Sequence, residues 1–222
     1  VVDVTANLAA LQARIERAGA DPSTVTVVGV TKQQPDDVID AALAVGLTEL
    51  GENRADALAT RAEANAGRGI RWHYLGQIQR NKIAKVAAHV ALWQSVDRPV
   101  LGPAIAKHAP GADVLVEVNL TDDPNRGGAS LATVPGLVRD LLAEGLVVRG
   151  LMAVGPLGDP EAARPGFVSV ARCADDLGLP IKSFGMSDDI DVAIACGSTM
   201  VRVGTALFGQ RESSRESADR AT

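Results

Sequence analysis

Short apolar runs alternate with amphipathic, helix-length stretches along nearly the whole of this chain. Strands spaced that way are too far apart for hairpins and predict a parallel sheet with crossover helices. Strand candidates fall at residues 25–31, 47–51, 71–75, 90–96, 113–119, 146–154, 181–185 and 199–203, which makes eight. An amphipathic helix precedes the first of them, with Leu8, Leu11, Ile15 and Ala18 on one face. Ser130 is placed to cap a helix burying Leu131, Val134, Leu137, Val138, Leu141 and Leu142, with Gly145 after its end. Asp159 and Pro160 open another that buries Phe167, Val170, Ala171, Ala174 and Leu177 and closes at Gly178 and Pro180. Eight such units in 222 residues predict one α/β domain over residues 1–209. The expected architecture is a (β/α)8 TIM-type barrel with an extra N-terminal helix, a doubly wound sheet being the alternative. Residues 210–222, "QRESSRESADRAT", have no apolar period and read as a disordered tail.

Charge and composition narrow the partners. Twenty-two Lys and Arg against 27 Asp and Glu give a net charge of -5, which offers no basic footprint for nucleic acid or a membrane surface. No apolar run approaches the length of a membrane span, and the first residues lack the pattern of a signal peptide, so a cytoplasmic protein is expected. Cys173 and Cys196 have no metal-ligand spacing and read as two small buried thiols. There is no internal repeat and no Walker or dinucleotide fingerprint.

A barrel of this type gathers its chemistry at the carboxyl ends of its strands. In "VTVVGVTKQQP", residues 25–35, a run read as buried strand is followed at once by Lys32. Such a lysine is either a solvated loop residue or an amine tuned by its neighbours for Schiff-base chemistry. Strand two ends in "GEN", where Asn53 reads as a helix cap or as part of a pocket. Strand three leads into "WHYLGQIQRNK", with His73 more at home as a satisfied core residue. The sixth carries Met152, a packing residue or a pocket wall. Strands seven and eight end in "FGMSDD" and "VRVGTALFG". Their small residues let backbone amides approach an anion, and the hydroxyls of Ser187 and Thr205 add donors, although Gly and Ser also serve in ordinary turns. Arg202 shares its strand parity with Gly204 and should point into the barrel with it. A lysine amine and a phosphate cup at one barrel mouth suit an aldehyde-bearing phosphorylated cofactor, and pyridoxal 5'-phosphate (PLP) fits both ends.

The motifs "VTKQQP", "LGENRADAL", "WHYLGQIQRNK", "SVDR", "VLVEVN", "RGLMAV" and "FGMSDDIDVAIACGSTMVRVGTALFG" occur in this order. Together they resemble the pyridoxal phosphate homeostasis protein family, whose members share the barrel of the alanine racemase N-terminal domain. The resemblance runs from about Val25 to Gly209. It implies that Lys32 forms the internal aldimine and that Ser187, Gly204 and Thr205 hold the phosphate. It also implies that Asn53 and Met152 line the pocket and that Arg202 lies near the cofactor, at the pyridine nitrogen or the phosphate. Leu50 stands where an aromatic residue commonly precedes "GEN", and Tyr74 where phenylalanine is usual; neither change removes a polar group. The family implies a single cofactor-bearing domain that acts in PLP supply and amino-acid balance without efficient turnover; a monomer with PLP-dependent apoenzymes as recipients is expected. The competing readings are a small PLP-dependent racemase and a Schiff-base aldolase. Racemisation needs bases on both faces of the substrate, and Tyr74 is the sole tyrosine.

Overall fold

The computed structural model describes residues 2–121, 126–156 and 158–210. In them, eight parallel strands close into a barrel in chain order. The strands are β1 (Thr26–Val30), β2 (Glu49–Glu52), β3 (Arg71–Tyr74), β4 (Val90–Val96), β5 (Asp113–Val118), β6 (Val147–Ala153), β7 (Ile181–Ser183) and β8 (Met200–Val203). Closure comes from β8 pairing with β1, in register from Thr26 opposite Met200 to Gly29 opposite Val203. The helices are α1 (Val4–Arg17), α2 (Asp37–Ala44), α3 (Ala55–Ala64), α4 (Ile83–Val86), α5 (Leu101–His108), α6 (Val134–Ala143), α7 (Arg164–Asp176), α8 (Ile190–Ala195) and α9 (Thr205–Phe208). The barrel and its N-terminal helix are as the alternation predicts. The tail expected from residue 210 lies, from 211 on, outside the described residues. No described helix is long and apolar enough to cross a membrane.

Several expected strands are a residue or two longer than the observed ones, for a physical reason. Val25, Leu47 and Phe184 are buried at strand ends without belonging to the strands, so hydrophobicity overruns the hydrogen-bonded ladder. Beyond Phe184 the chain turns at Gly185, whose φ of +100° suits glycine. One helix face also needs correction. Residues Leu131–Thr133 form a 3-10 turn before α6, Ser130 makes no side-chain cap to it, and Leu131 and Leu142 are 37% and 53% exposed. A helical period locates an apolar stripe but not how far a neighbouring helix covers its edges. Asp159, by contrast, caps the turn before α7 by accepting from the Glu161 amide at 3.0 Å. Cys173 and Cys196 are half-buried rather than buried.

Period-two alternation divides the strand side chains between two cores. Val201 and Val203 face the helices and join the large outer core, whereas Met200 faces inward with Val28, Leu92, Leu115 and Met152. Arg202 and Gly204 therefore share the inner face with Met200. The N-terminal helix braces the carboxyl end of this wall. Asn7 Nδ2 donates to the Leu207 carbonyl at 2.9 Å, and Arg14 Nη1 to the Ser187 carbonyl at 2.9 Å. Arg14 also pairs with Asp191, next to the start of α8.

Candidate functional site

Lys32 sits in a tight turn just beyond β1. The Gln34 amide closes the turn on the Thr31 carbonyl at 3.0 Å, and Gln33 takes the left-handed conformation with φ of +58°. A non-glycine residue there is uncommon and must be held by its surroundings. Arg61, reaching across from α3, donates to the Thr31 carbonyl at 2.6 Å, to the Gln34 carbonyl at 2.5 Å and to the Glu52 carboxylate. Glu52, 1% exposed, also accepts from the Thr31 hydroxyl at 2.7 Å. Gln34 Nε2 donates to the Gly209 carbonyl, which ties the lysine turn to the end of α9. The lysine itself is half-buried.

All seven residues singled out from the sequence line one cavity of about 260 Å³ at the carboxyl end of the barrel. Lys32 enters from the β1 loop and Asn53 from the end of β2. Met152 rises from β6, Ser187 stands beyond β7, and Arg202, Gly204 and Thr205 come from β8 and its continuation. The Ala206 amide donates to Ser187 Oγ at 3.2 Å, so the β7 and β8 loops meet on one wall. Asn53 is not the cap of α3; that position is Arg54. The chain after β3 presses against it instead. A side-chain carbon on Gly76 would lie 2.0 Å from the Asn53 carbonyl oxygen, so only glycine fits in "LGQ". Met152 both packs in the inner core and lines the cavity. His73 is a core residue, 1% exposed, with both ring nitrogens hydrogen-bonded.

Of the charged residues that line the cavity, Arg202 is the one set deep, whereas Lys32 is half-buried and Asp188 exposed. Arg202 is 5% exposed, and Nη1 donates to the Ser183 carbonyl at 2.6 Å and to Ser183 Oγ at 2.8 Å, while Nη2 donates to the Ala153 carbonyl at 2.9 Å. Burial lowers its pKa to about 10 against the opposing pull of Glu117 and Asp189, so it remains a cation at neutral pH. Burial above all, then the Asp97 charge, pushes the Glu117 carboxyl up to about 7, although Arg202 and Arg126 oppose the shift.

Comparison with known proteins decides what kind of barrel this is. Residues 5–212 match the alanine racemase N-terminal domain. The chain is 35% identical to the pyridoxal phosphate homeostasis protein of Pseudomonas aeruginosa, over 94% of this chain and 96% of that protein. It is 36% identical to the protein of the same name from Aquifex aeolicus, over 91% and 94%. The chain belongs to the pyridoxal phosphate homeostasis protein family.

Among solved structures, PipY of Synechococcus elongatus with PLP bound superposes with a TM-score of 0.80 at 29% identity, covering 93% of this chain and 100% of that one. A protein described as unknown from Bifidobacterium adolescentis gives 0.83 at 31% identity, over 93% and 94%. The homeostasis family resemblance drawn from the motifs therefore stands. Gln34 and Asp188, both within motifs quoted above, line the cavity too. Support from behind comes from Glu52, in "LGENRADAL", and from Arg14, Arg61 and Ser183, outside every quoted motif, and no local sequence signal marks that task.

Proposed function

We propose that this protein binds PLP in the cavity at the carboxyl end of the barrel and acts in the cell's supply and balance of that cofactor, without efficient turnover of amino acids. The observation that carries the proposal is the meeting of Lys32 with Ser187, Gly204 and Thr205 on the walls of a single cavity. PLP supplies an aldehyde that an amine captures reversibly, and a phosphate that amides and hydroxyls hold. The donor set fits both groups. Lys32 is the amine; Ser187, Gly204 and Thr205 form the phosphate side; Asn53 and Met152 flank the ring.

Arg202 takes the pyridine nitrogen rather than the phosphate. It lies one inward step before Gly204 on the strand, about 7 Å deeper by strand rise, and its anchors are Ser183 and the Ala153 carbonyl on neighbouring strands. An always-protonated guanidinium can only donate there, which keeps that nitrogen unprotonated and weakens the ring as an electron sink. Tyr74 gives no second base. It is 4% exposed, packs its ring 5.5 Å from that of Trp93, and directs its hydroxyl to the Gln77 carbonyl. The first point disfavours transamination and the second racemisation by this chain.

A cytoplasmic monomer handing PLP to apoenzymes completes the proposal. Purified protein should be yellow and should convert L-alanine and other amino acids slowly or not at all, followed by chirality and keto-acid formation. Rapid multiple turnovers would return the chain to the enzymes. Light scattering on the loaded protein checks the monomer, and transfer to a PLP-free acceptor enzyme checks the supply role.

A further inference from the structure

The inside of this barrel is not wholly apolar. A hydrogen-bonded thread crosses it from the amino-terminal end to the cavity. Glu49 Oε2, at the start of β2, lies 2.5 Å from His73 Nε2. His73 Nδ1 lies 2.6 Å from Gln94 Nε2, and Ser183 Oγ donates to Gln94 Oε1 at 2.7 Å. The last link is the 2.8 Å bond from Arg202 Nη1 to Ser183 Oγ. His73, Gln94 and Ser183 are each no more than 1% exposed.

Every proton on this thread is assigned by its neighbours. A guanidinium only donates, so the Ser183 oxygen accepts from Arg202 and sends its own proton to Gln94 Oε1. That orients the amide. Its nitrogen, which can only donate, faces His73 Nδ1, so the ring's proton is on Nε2, toward Glu49. The thread therefore runs in one direction, from a cation that lines the cavity to a carboxylate at the far end of the barrel. Buried polar groups are costly unless fully paired, and a complete set of partners makes them stiff. Gln94 is doubly held, because its amide nitrogen also lies 3.2 Å from Met200 Sδ.

We infer that Gln94 and Ser183 are positioning residues for Arg202, fixing the direction in which its guanidinium addresses the bound cofactor; this rests on the PLP-binding reading above. Because Gln94 Oε1 takes the Ser183 proton, the hydroxyl is held with a lone pair toward Arg202. With that acceptor gone, the hydroxyl is free to rotate and one of the guanidinium's three anchors is no longer fixed in direction.

The test is a double-mutant cycle on the full chain, reading the PLP dissociation constant and the pH midpoint of the imine absorbance. Gln94→Met and Ser183→Ala should each weaken PLP binding by about fivefold, the worth of one buried hydrogen bond. Each should shift the pH midpoint with the same sign as Arg202→Met. In an Arg202→Met background, adding Gln94→Met should change neither quantity, because the residue acts through the arginine. Ser183→Ala removes a single oxygen and keeps the test open if Gln94→Met fails to fold. Folded variants that match wild type in both readouts overturn the inference, as does a Gln94→Met effect that persists without Arg202. A wild type that takes up no PLP overturns this inference together with the reading beneath it; a wild type that loads while both variants match it overturns this inference alone.

Discussion

The two cores of this barrel differ in kind. Between strands and helices, the large outer core is built on side chains such as Ile15, Leu58, Trp93 and Phe167, all fully buried. Inside the strands, Val28, Leu92, Leu115, Met152 and Met200 share the space with His73, Gln94, Ser183 and Arg202. Apolar packing is non-directional and tolerates exchange by size, whereas the inner polar groups need particular partners in fixed places. The outer layer thus holds the fold together and the inner layer holds the site in position. Changes to one should leave the other's readout nearly still.

The largest expected effect is on the outer side. Phe167 is fully buried and stacks on Phe184 at 4.8 Å. Phe167→Ala should cost about 3–5 kcal/mol of stability, read by denaturant unfolding, while PLP affinity of the folded protein stays within about twofold of wild type. A comparable loss of affinity would erase the division between the layers. Arg61→Met should cross that division. It strands the buried Glu52 carboxylate at a cost of about 3 kcal/mol and releases the Thr31–Gln34 turn that carries Lys32. Adding Glu52→Gln should recover much of the stability but not the PLP affinity; recovery of both would reduce Arg61 to a fold residue.

Glu117 sharpens the comparison through pH. Its carboxyl titrates near 4.5 in the unfolded chain and at about 7 in the fold. The folded state thus binds the proton more tightly, a contribution fully present below 4.5 and lost as pH rises through about 7. Glu117→Gln should therefore raise stability at pH 8 by up to about 3 kcal/mol relative to wild type, and by little at pH 4. Equal gains at both pH values would mean that packing, not charge, is responsible. The smallest effect is expected of Thr205→Val, which should weaken PLP binding by about tenfold, one charged hydrogen bond, without lowering the melting temperature. Pyridoxal lacking the phosphate should bind the variant as it binds wild type; equal losses would put the phosphate elsewhere.

The outer layer was the legible one. Its apolar residues recur at strand and helix periods, so the eight units could be counted from the chain alone. Only edges such as Leu131 and Leu142 went astray, because coverage depends on a neighbouring helix. The cavity lining was legible in a different way. Lys32, Ser187, Gly204 and Thr205 stand where strands end, the place a barrel reserves for chemistry. Of the inner polar thread, His73 and Arg202 were legible as core or inward-facing residues, but the bonds between its members left no such trace. Gln94 and Ser183 are 89 positions apart and Arg61 and Thr31 are 30 apart, so their pairing exists only once the barrel has closed. Each of those residues, read alone, is an unremarked polar side chain.

The proposed role of the cavity turns on Lys32 being the amine that would carry the cofactor. Borohydride reduction of the PLP-loaded protein, followed by peptide mapping, tests that directly. The account predicts one reduced adduct, on Lys32, and a Lys32→Ala protein that melts with wild type yet shows neither adduct nor imine absorbance. An adduct mapped to Lys82 or another lysine, or an imine band that survives in Lys32→Ala, would contradict it.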